Sequence, residues 1–365
     1  MNRNIEDFTV IIPSLDPNQG FILYIDSLIT IGFKRILVVN DGSSAEHNHI
    51  FNAISKMKYC VVLCHPENKG KGEALKTGYA YVKENAPDCK GIVTADSDGQ
   101  HAVNNVYEVA EAVIHSQNSL VLGVRAFSNK NTPFKSLLGN RLTSAVMFIL
   151  FGKWLSDTQT GLRGFSSCLT DKMMQIKGKR YEYEMQVLID FIRNKHQICQ
   201  IEIETIYENN NQGTHFRVVR DTLRILKVLI SNFTMFFSSS VLSALVDLSL
   251  AWIFLFILKN ELADLNFLRI AVATVFARVV SIWVNYLLNK KYVFKSSENN
   301  DKSMGRYLLL CLMVVTLSTL SVYFLNTNFG MDEMISKLIT DSLLFFLSYH
   351  IQKSWVFQIQ EGVRT

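Results

Sequence analysis

The chain has 365 residues, a molecular mass of 41.6 kDa and a mean hydropathy of +0.15. Its 37 Lys and Arg against 32 Asp and Glu give a net charge of +5, too small a surplus for a protein that coats nucleic acid. With only 5 Pro, 18 Gly and no low-complexity tract, long disorder and collagen-like or Pro-rich architectures are excluded. A chain of this length is expected to form two domains.

Short runs rich in Val and Ile alternate with amphipathic helical stretches in the first 230 residues. The predicted strands are 8–12, 35–39, 60–63, 91–94 and 120–124. This order predicts an α/β fold with a mostly parallel sheet that is covered on both faces. Such sheets bind ligands beyond the carboxyl ends of their strands, so the polar residues that follow each strand are candidates for a functional site.

An acidic segment, Asp96-Ser97-Asp98-Gly99-Gln100, follows the fourth predicted strand. Alternate residues of an extended segment point the same way, so two of its carboxylates can meet one divalent cation, and Gln100 continues the series with an amide oxygen. Oxygen ligands favour magnesium or manganese over zinc. The alternative is a solvated acidic turn, because an isolated DxD triplet arises often by chance.

Several strand ends carry motifs that belong together. These are VIIPS, VVNDGSS, ENKGKGEALKTG, ADSDGQH and, at 157–165, DTQTGLRGF. Together they resemble the family 2 glycosyltransferases, and within that family the polyprenyl-phosphate branch that includes dolichol-phosphate mannose synthase. The last motif is the most specific, because DxQxGxRxF distinguishes this branch from its general relatives. The resemblance covers about residues 8–225 and implies a Rossmann-like GT-A fold.

The resemblance implies an inverting, metal-dependent enzyme that takes a hexose from a UDP- or GDP-linked donor. The residues that would bind the nucleotide sugar are Pro13, Asp41, Lys71, Asp96 and Gln100. A Mg²⁺ or Mn²⁺ cofactor would be held by Asp96, Asp98 and Gln100, where it would stabilise the negative charge that develops on the leaving nucleoside diphosphate. Lys71 also has a plainer interpretation as a solvated base at the start of a helix.

The resemblance also implies an acceptor, the phosphate of an undecaprenyl- or dolichyl-type lipid. A phosphate monoester is already anionic near neutral pH, so no strong general base is required. Its oxygens are matched bidentately by guanidinium groups, which makes arginines candidates for binding it. The residues expected to bind the lipid phosphate are Arg125, Arg141, Arg163, His215 and Arg217. The residues expected to take part in catalysis are Asp98, Arg125 and Arg163. The alternatives are that Arg141 snorkels from an amphipathic helix and that His215 is a surface histidine.

Two other classes of protein lack their motifs in this chain. The stretch ENKGKGEALKTG does not have the GxxxxGK[ST] spacing of a P-loop, which argues against a nucleoside-triphosphate hydrolase. The QxxRW motif of processive polysaccharide synthases is absent from the sequence. We therefore expect one sugar transfer per acceptor.

Four apolar runs fill the last third of the chain, where residues 231–365 hold only 11 Lys and Arg and 9 Asp and Glu. The runs are 233–258, 270–289, 307–325 and 335–352. Each is close to the roughly 20 apolar residues that cross a bilayer, although the fourth carries Lys337 and Asp341. We therefore predict a catalytic domain over residues 1–230 and an all-α transmembrane bundle of four helices over 231–365.

Positive charge gathers before the first span and between the second and third. The basic residues are Arg217, Arg220, Arg224, Lys227, Lys290, Lys291, Lys295, Lys302 and Arg306. The positive-inside rule then places the catalytic domain and both termini in the cytoplasm, in a multi-pass protein of the cell membrane.

The six Cys lack the paired spacing of a zinc site and are expected to be reduced packing residues.

The second and fourth spans end in similar segments, NKKYVF at 289–294 and QKSWVF at 352–357. The segments resemble those of the GtrA-like membrane family, and their repetition suggests two related helix pairs. Charges inside a bilayer are costly, so Asp247 and Arg278 are expected to face each other or a polar cavity. They would form either a structural ion pair or a binding point for a lipid headgroup.

The two domains together predict a polyprenyl-phosphate glycosyltransferase that serves cell-envelope glycan or glycoprotein modification. The alternative is a GtrA-like translocase of lipid-linked sugar, or a scaffold, whose N-terminal domain is not catalytic. The expected partners are a nucleotide sugar, a polyprenyl phosphate and the bilayer, with no nucleic acid. Bundles of short-linked spans often associate, so a homo-oligomer is a further expectation. The sequence specifies neither the sugar nor the base of the donor.

Overall fold

The computed structural model describes residues 5–116, 118–125, 134–204, 218–261, 265–294, 296 and 298–357; within these ranges, the side chains of 134–138, 218–232, 260–261 and 266 are not described. The chain divides into two compact units, Met1–Leu229 and Ile230–Thr365.

A seven-stranded sheet forms the centre of the described part of the first unit. Its strands are β1 (Phe8–Ser14), β2 (Ile36–Asn40), β3 (Cys60–Cys64), β4 (Gly91–Thr94), β5 (Leu120–Arg125), β6 (Arg163–Ser166) and β7 (Ile198–Ile203). They lie in the order β3-β2-β1-β4-β6-β5-β7. Only β6 runs antiparallel to its neighbours β4 and β5, and the other paired strands are parallel. The predicted α/β fold with a mostly parallel sheet is confirmed.

Helices cover this sheet, which explains why the central strands read as continuous apolar runs. The helices are α1 (Gly20–Ile31), α2 (Asn48–Ile54), α3 (Lys71–Asn85), α4 (Val103–His115), α5 (Phe134–Phe151), α6 (Thr170–Gln175) and α7 (Glu182–Arg193). Helix α3 packs on β1 and β2, and α4 packs on β4, β5 and β6. Every residue of β2 is buried, as are all residues of β1 except the half-buried Pro13.

The described part of the second unit is helical. Its helices are α8 (Val218–Glu261), which begins before the boundary of the unit, α9 (Asn266–Leu288), α10 (Asn300–Phe329) and α11 (Glu333–Ile351). Three segments are long and apolar enough to cross a membrane, namely Phe233–Lys259, Phe267–Val293 and Asn300–Phe329. The prediction of four spans is therefore confirmed for three. The fourth predicted span does form a helix of 19 residues, which include Glu333, Lys337 and Asp341, but it is not among these three segments.

The helices α9 and α11 end in the same way, each continuing into a π-helical turn, Asn289–Val293 and Gln352–Val356. The first residues of the two turns meet, because the Asn289 side-chain amide donates to Gln352 Oε1 at 3.0 Å. The rings of Phe294 and Phe357, five residues further along in each copy, stack with centroids 5.3 Å apart. Equivalent residues of the two helix pairs therefore pack against each other, as expected for an internal repeat.

Each helix pair holds a carboxylate within its apolar span. In the first pair Arg278 Nη2 lies 3.2 Å from Asp247 Oδ2, and Ser281 Oγ donates to Asp247 Oδ1 at 3.0 Å. In the second pair Ser318 Oγ donates to Asp341 Oδ1 at 2.6 Å, beside Lys337. The expected pairing of Asp247 with Arg278 is confirmed, and hydrogen bonding lowers the cost of both charges.

Candidate active site

The predicted motifs converge beyond the carboxyl ends of β1, β2, β4 and β5, the edge at which parallel sheets bind ligands. Asp41 follows β2, Asp96 follows β4, and Arg125 ends β5. Lys71 begins α3, which packs on β1 and β2. Pro13 lies in β1 opposite Val39. The sheet order thus brings together side chains that are far apart in the sequence.

Asp41 fastens the loop that precedes α3. Its Oδ1 accepts from the Lys69 amide at 2.9 Å and its Oδ2 accepts from the Gly70 amide at 2.7 Å. A carboxylate only accepts, so His65 Nδ1 donates to Oδ1 at 2.7 Å, and His65 Nε2 lies 3.0 Å from Thr77 Oγ1. Asp41 is buried, and two of its described hydrogen bonds hold the backbone of this loop in place. Its contact with a nucleotide remains a prediction.

The glycines of the KGKG stretch let this loop lie against the start of α7. Gly70 has φ +105°, and a Cβ built there would lie 2.7 Å from the Lys179 carbonyl oxygen. A Cβ at Gly72 would lie 2.6 Å from Cβ of Tyr183. Because both contacts involve backbone or a rigid side-chain root, larger residues would push the loop away from α7. The backbone of Lys71, between these glycines, is therefore held in place.

Lys71 lies between two carboxylates. Its Nζ is 2.6 Å from Asp96 Oδ1 and 2.9 Å from Glu184 Oε1. Burial by itself would lower the pKa of Lys71, but the charges of Asp96 and Glu184 outweigh it and raise that pKa. Burial likewise opposes ionisation of Asp96, yet Lys71 holds the pKa of Asp96 below its usual range. Lys71 is thus a charged, paired ammonium and not the solvated base of the alternative interpretation.

Glu184 is a site residue that the sequence analysis missed. The YEYE stretch at the start of α7 contains two glutamates of similar appearance, Glu182 and Glu184. Glu182 Oε1 accepts from the backbone amides of Lys179 and Arg180 at 3.2 and 3.3 Å, which suits a helix start. Glu184 points to the cleft and is only 7% exposed. The only signal in the sequence was two glutamates two positions apart at a helix start, which does not say which one faces inward.

The Asp98 carboxyl lies near the negative charge of Asp96, which opposes its ionisation. Burial, followed by the charge of Asp96, raises the pKa of Asp98 above its usual range. Its Oδ1 accepts from the Gln100 backbone amide at 3.1 Å, which turns the chain back after the DxD triplet. The amide of Asp96 donates to Nδ1 of the buried His101 at 3.3 Å. The DxD segment is therefore folded tightly over the strand end, with two neighbouring carboxyl groups.

A buried tyrosine hydroxyl belongs to the same cluster. Tyr24 Oη lies inside the protein and has no hydrogen-bond partner within the described ranges. Burial, then the charges of Asp96 and Asp98, raise the pKa of Tyr24. Tyr24 could not be predicted as a site residue from the sequence, since one tyrosine in a helix carries no signal of this kind.

These groups fit a hard divalent cation. The carboxylates of Asp96 and Asp98, the side-chain amide of Gln100 and the unsatisfied hydroxyl of Tyr24 offer oxygen atoms, which Mg²⁺ and Mn²⁺ prefer. Within the described ranges, no three His, Cys, Asp or Glu side chains are arranged to hold a metal ion. Asp96 and Asp98 would therefore need Gln100, water or substrate oxygens to complete the coordination of an ion.

The DTQTGLRGF segment lies directly over Asp96. A Cβ built on Gly161 would be 2.2 Å from Asp96 Oδ2, so only glycine lets the backbone pass this close to the carboxylate. The Gly161 carbonyl accepts from Thr94 Oγ1 at 2.8 Å, at the end of the strand that precedes Asp96. The glycine of the most specific motif is thus explained by its contact with the acidic motif.

The structure gives both predicted catalytic arginines protein partners. Arg125 Nε lies 2.6 Å from Asp157 Oδ2 and Arg125 Nη2 lies 3.0 Å from Asp157 Oδ1, a two-point ion pair. Arg163 is 3% exposed; its Nε donates to the Thr160 carbonyl at 2.9 Å and its Nη1 donates to the Glu184 carbonyl at 2.7 Å. Arg163 Nη2 is buried without a hydrogen-bond partner in the part of the chain that the structure describes. The contact of Arg125 and Arg163 with lipid phosphate remains a prediction.

The other predicted phosphate-binding residues lie elsewhere. Arg141 is exposed on α5, one residue after the buried Asn140, whose side-chain amide donates to the Ser156 carbonyl at 2.7 Å. Asn140 Oδ1 accepts from the Thr158 amide at 3.0 Å, so α5 is tied to the DTQTGLRGF segment. His215 and Arg217 lie outside the described residues.

Two domain families match the chain. The Glycosyl transferase family 2 domain matches residues 9–170, and the GtrA/DPMS transmembrane domain matches residues 235–357. Together they account for the catalytic motifs and for the apolar helices.

Curated relatives and solved structures also match. A UDP-N-acetylglucosamine–dolichyl-phosphate N-acetylglucosaminyltransferase from Methanococcus voltae is 31% identical over 215 residues, which are 54% of this chain and 85% of that protein. An uncharacterized protein from Methanocaldococcus jannaschii is 27% identical over 230 residues, 62% of this chain and 92% of that protein. A crystal structure of glucosyl-3-phosphoglycerate synthase from Mycobacterium tuberculosis matches with 17% identity and a TM-score of 0.47. The match covers 61% of this chain and 77% of that chain.

The family matches agree with the motifs and with the geometry around Asp96. The relative from Methanococcus voltae extends the match over most of its own length at more than 30% identity. The apolar helices of the second unit make the chain an integral membrane protein. The chain belongs to the family 2 glycosyltransferases, in the polyprenyl-phosphate branch with a GT-A fold, and it carries a GtrA/DPMS transmembrane domain.

Proposed function

We propose that the protein transfers one hexose or N-acetylhexosamine from a nucleotide sugar to the phosphate of a long polyprenol. The catalytic domain, residues 1–230, faces the cytoplasm, and the membrane domain, residues 231–365, keeps it at the bilayer where the acceptor is found. The product serves the modification of cell-envelope glycans or glycoproteins. The name of the relative from Methanococcus voltae supports UDP-N-acetylglucosamine as the first donor to test.

The observation that carries the proposal is the environment of Asp96. Lys71 from the KGKG stretch and Gly161 from DTQTGLRGF both contact its carboxylate. Three motifs that are far apart in the chain thus meet at one group, and catalysis requires such convergence to position a donor against an acceptor. A protein that served only as a scaffold or a translocase would have no need of this arrangement.

The reaction forms a bond between a lipid-phosphate oxygen and the anomeric carbon, and it breaks the bond from that carbon to the diphosphate. The phosphate attacks from the side opposite the leaving group, so the configuration inverts. The lipid phosphate is already anionic near neutral pH and needs no strong base. The pair of electrons from the broken bond leaves with the nucleoside diphosphate.

The residues near the leaving group lower the energy of this charge separation. A Mg²⁺ or Mn²⁺ ion supplies positive charge to the diphosphate when bound, and Asp96, Asp98 and Gln100 would hold it. Asp41 holds the loop before α3 through the amides of Lys69 and Gly70, and Lys71, at the start of α3, is the proposed partner of the diphosphate. Arg163, with an unpartnered Nη2 among the described residues, is the proposed group for the acceptor phosphate, together with Arg125, Arg141, His215 and Arg217.

A donor screen with the purified full-length protein tests the proposal. The assay contains polyprenyl phosphate, Mg²⁺ or Mn²⁺ and one of a panel of UDP- and GDP-sugars, and lipid-linked product is measured. We expect product with at least one donor and none with the Asp98→Ala variant. Lack of product with every donor would instead favour the translocase or scaffold alternative.

A further inference from the structure

We infer that Lys71 is an internal counter-cation that occupies Asp96 in the metal-free protein and passes to Glu184 when a divalent cation binds Asp96. This inference rests on the proposed function, because it assumes that Asp96 is a metal ligand. It makes Lys71 a competitor of the metal and Glu184 a positioning residue for Lys71.

The Lys71 ammonium contacts the two carboxylates at unequal distances. The Lys71 ammonium makes its shorter contact, 2.6 Å, with Asp96 Oδ1, and a second contact of 2.9 Å with Glu184 Oε1. An ammonium donates three hydrogen bonds from one point, so it can keep one carboxylate while it releases the other. A divalent cation on the same Asp96 oxygen would lie against this ammonium.

The cations near Asp96 differ in their partners. Arg125 forms a two-point ion pair with Asp157. Lys71 is therefore the cation in direct contact with Asp96 among the described ion pairs, and it takes the place that a metal would take. Two cations cannot share one carboxylate oxygen without strong repulsion.

The backbone around Lys71 is fixed, so only its side chain needs to move. Gly70 and Gly72 hold the backbone on either side of Lys71 against α7, with no room for a Cβ. Glu184 is buried and already bonded to the ammonium. Exchange between Asp96 and Glu184 therefore needs only a small rotation of the Lys71 side chain. The apparent metal affinity is lowered by the fraction of molecules in which Lys71 occupies Asp96.

The test is Mn²⁺ binding by the full-length protein without nucleotide sugar, measured from the electron paramagnetic resonance signal of free Mn²⁺. The variant is the double substitution Lys71→Met with Glu184→Gln, which removes one positive and one negative charge and leaves the net charge of the cleft unchanged. We expect its Kd for Mn²⁺ to fall about fivefold or more, since Asp96 is then always available. A Kd equal to that of the wild type, or higher, would overturn the inference.

The matched control removes an exposed ion pair between Lys83, which lies on the same helix as Lys71, and Asp171 of α6, whose shortest distance is 2.5 Å. The variant Lys83→Met with Asp171→Asn should leave the Kd for Mn²⁺ within twofold of the wild-type value. An equal tightening in this control would show that removal of any ion pair suffices, and it would also overturn the inference. Failure of the wild-type protein to bind Mn²⁺ at all would instead contradict the proposed metal site.

A single variant covers the case in which the double variant does not fold. Glu184→Gln leaves the ammonium with Asp96 as its one carboxylate partner, so we expect Mn²⁺ to bind at least about fivefold more weakly. Tighter or unchanged binding by a folded Glu184→Gln protein, with its fold checked by circular dichroism, would be incompatible with the exchange.

Discussion

Arg125 and Asp157 form a two-point ion pair in which the carboxylate is completely buried. Asp157 is the first residue of DTQTGLRGF, and Arg125 ends the strand β5. Removal of one partner from a buried pair leaves the other charge without compensation. We expect Asp157→Ala to reduce the free energy of unfolding by about 3 kcal/mol, measured by thermal unfolding of the purified protein.

The control for that experiment is Asp171→Ala, which removes the partner of Lys83 at an exposed position. Exposed ion pairs contribute at most about 1 kcal/mol, so its melting temperature should change little. Equal destabilisation by the two variants would contradict the importance that we assign to the buried pair.

Gly161→Ala is expected to abolish transfer activity. The new Cβ would be 2.2 Å from Asp96 Oδ2, so either the carboxylate or the backbone of the motif must move. The measurement is the rate of lipid-linked product formation. The matched control is Gly139→Ala in α5, where a Cβ meets no atom within 4 Å and should raise stability by about 0.5–1 kcal/mol. Full activity in Gly161→Ala would show that Asp96 tolerates displacement.

Asp98→Asn is expected to stabilise the metal-free protein at pH 7.5 while it removes activity. Burial and Asp96 raise the pKa of Asp98 in the folded state above its value in the unfolded chain. A carboxyl group with a raised pKa stabilises the fold where it is protonated, and this contribution is lost as the pH rises through the raised pKa. The amide of the Asp98→Asn variant is neutral at every pH, so the variant does not lose this stability as the pH rises.

The melting temperatures of wild type and Asp98→Asn, measured with a chelator present, should therefore differ most at neutral pH. The difference should shrink as the pH falls towards 5, since Asp98 then becomes protonated in the wild type. A difference that stays constant with pH would mean that Asp98 is not destabilised by its surroundings.

Asn289→Ala should destabilise the membrane domain. The Asn289 side chain bonds Gln352 Oε1 at 3.0 Å, Asn285 Oδ1 at 2.5 Å and Ser239 Oγ at 2.5 Å, and it is completely buried. Its loss leaves several polar groups unsatisfied, at a cost of about 1–3 kcal/mol. The measurement is thermal unfolding in detergent, with the exposed Ser342→Ala as a control that should melt like the wild type.

The acidic motif and its position could be predicted from the sequence because strand ends have a local signature. Asp96 and Asp98 follow a short apolar run, and the sheet order brings that strand end to the cleft. Glu184 could not be chosen over Glu182 in this way, since the two glutamates differ only in which side of α7 faces the cleft. Periodicity over so short a stretch does not decide that orientation.

The strand β6 was also missed, for a different reason. It has only four residues, RGFS, and lacks the run of Val and Ile that marked the other strands. It pairs antiparallel between β4 and β5, so neighbouring strands and not local propensity determine its conformation. The partners of Arg125 and Arg163 could not be predicted either, because they come from other segments that only the fold brings next to these arginines.

The hydrogen bond between Asn289 and Gln352 brings the ends of α9 and α11 side by side. Helix α11 has 19 residues and is therefore about 28 Å long, slightly less than the hydrocarbon thickness of about 30 Å. Lys337 lies only one turn from its start, and its side chain is 56% exposed. If α11 crosses the membrane as predicted, its short length and this ammonium, which Asp341 and Ser318 contact, would favour a locally thinner bilayer along the helix.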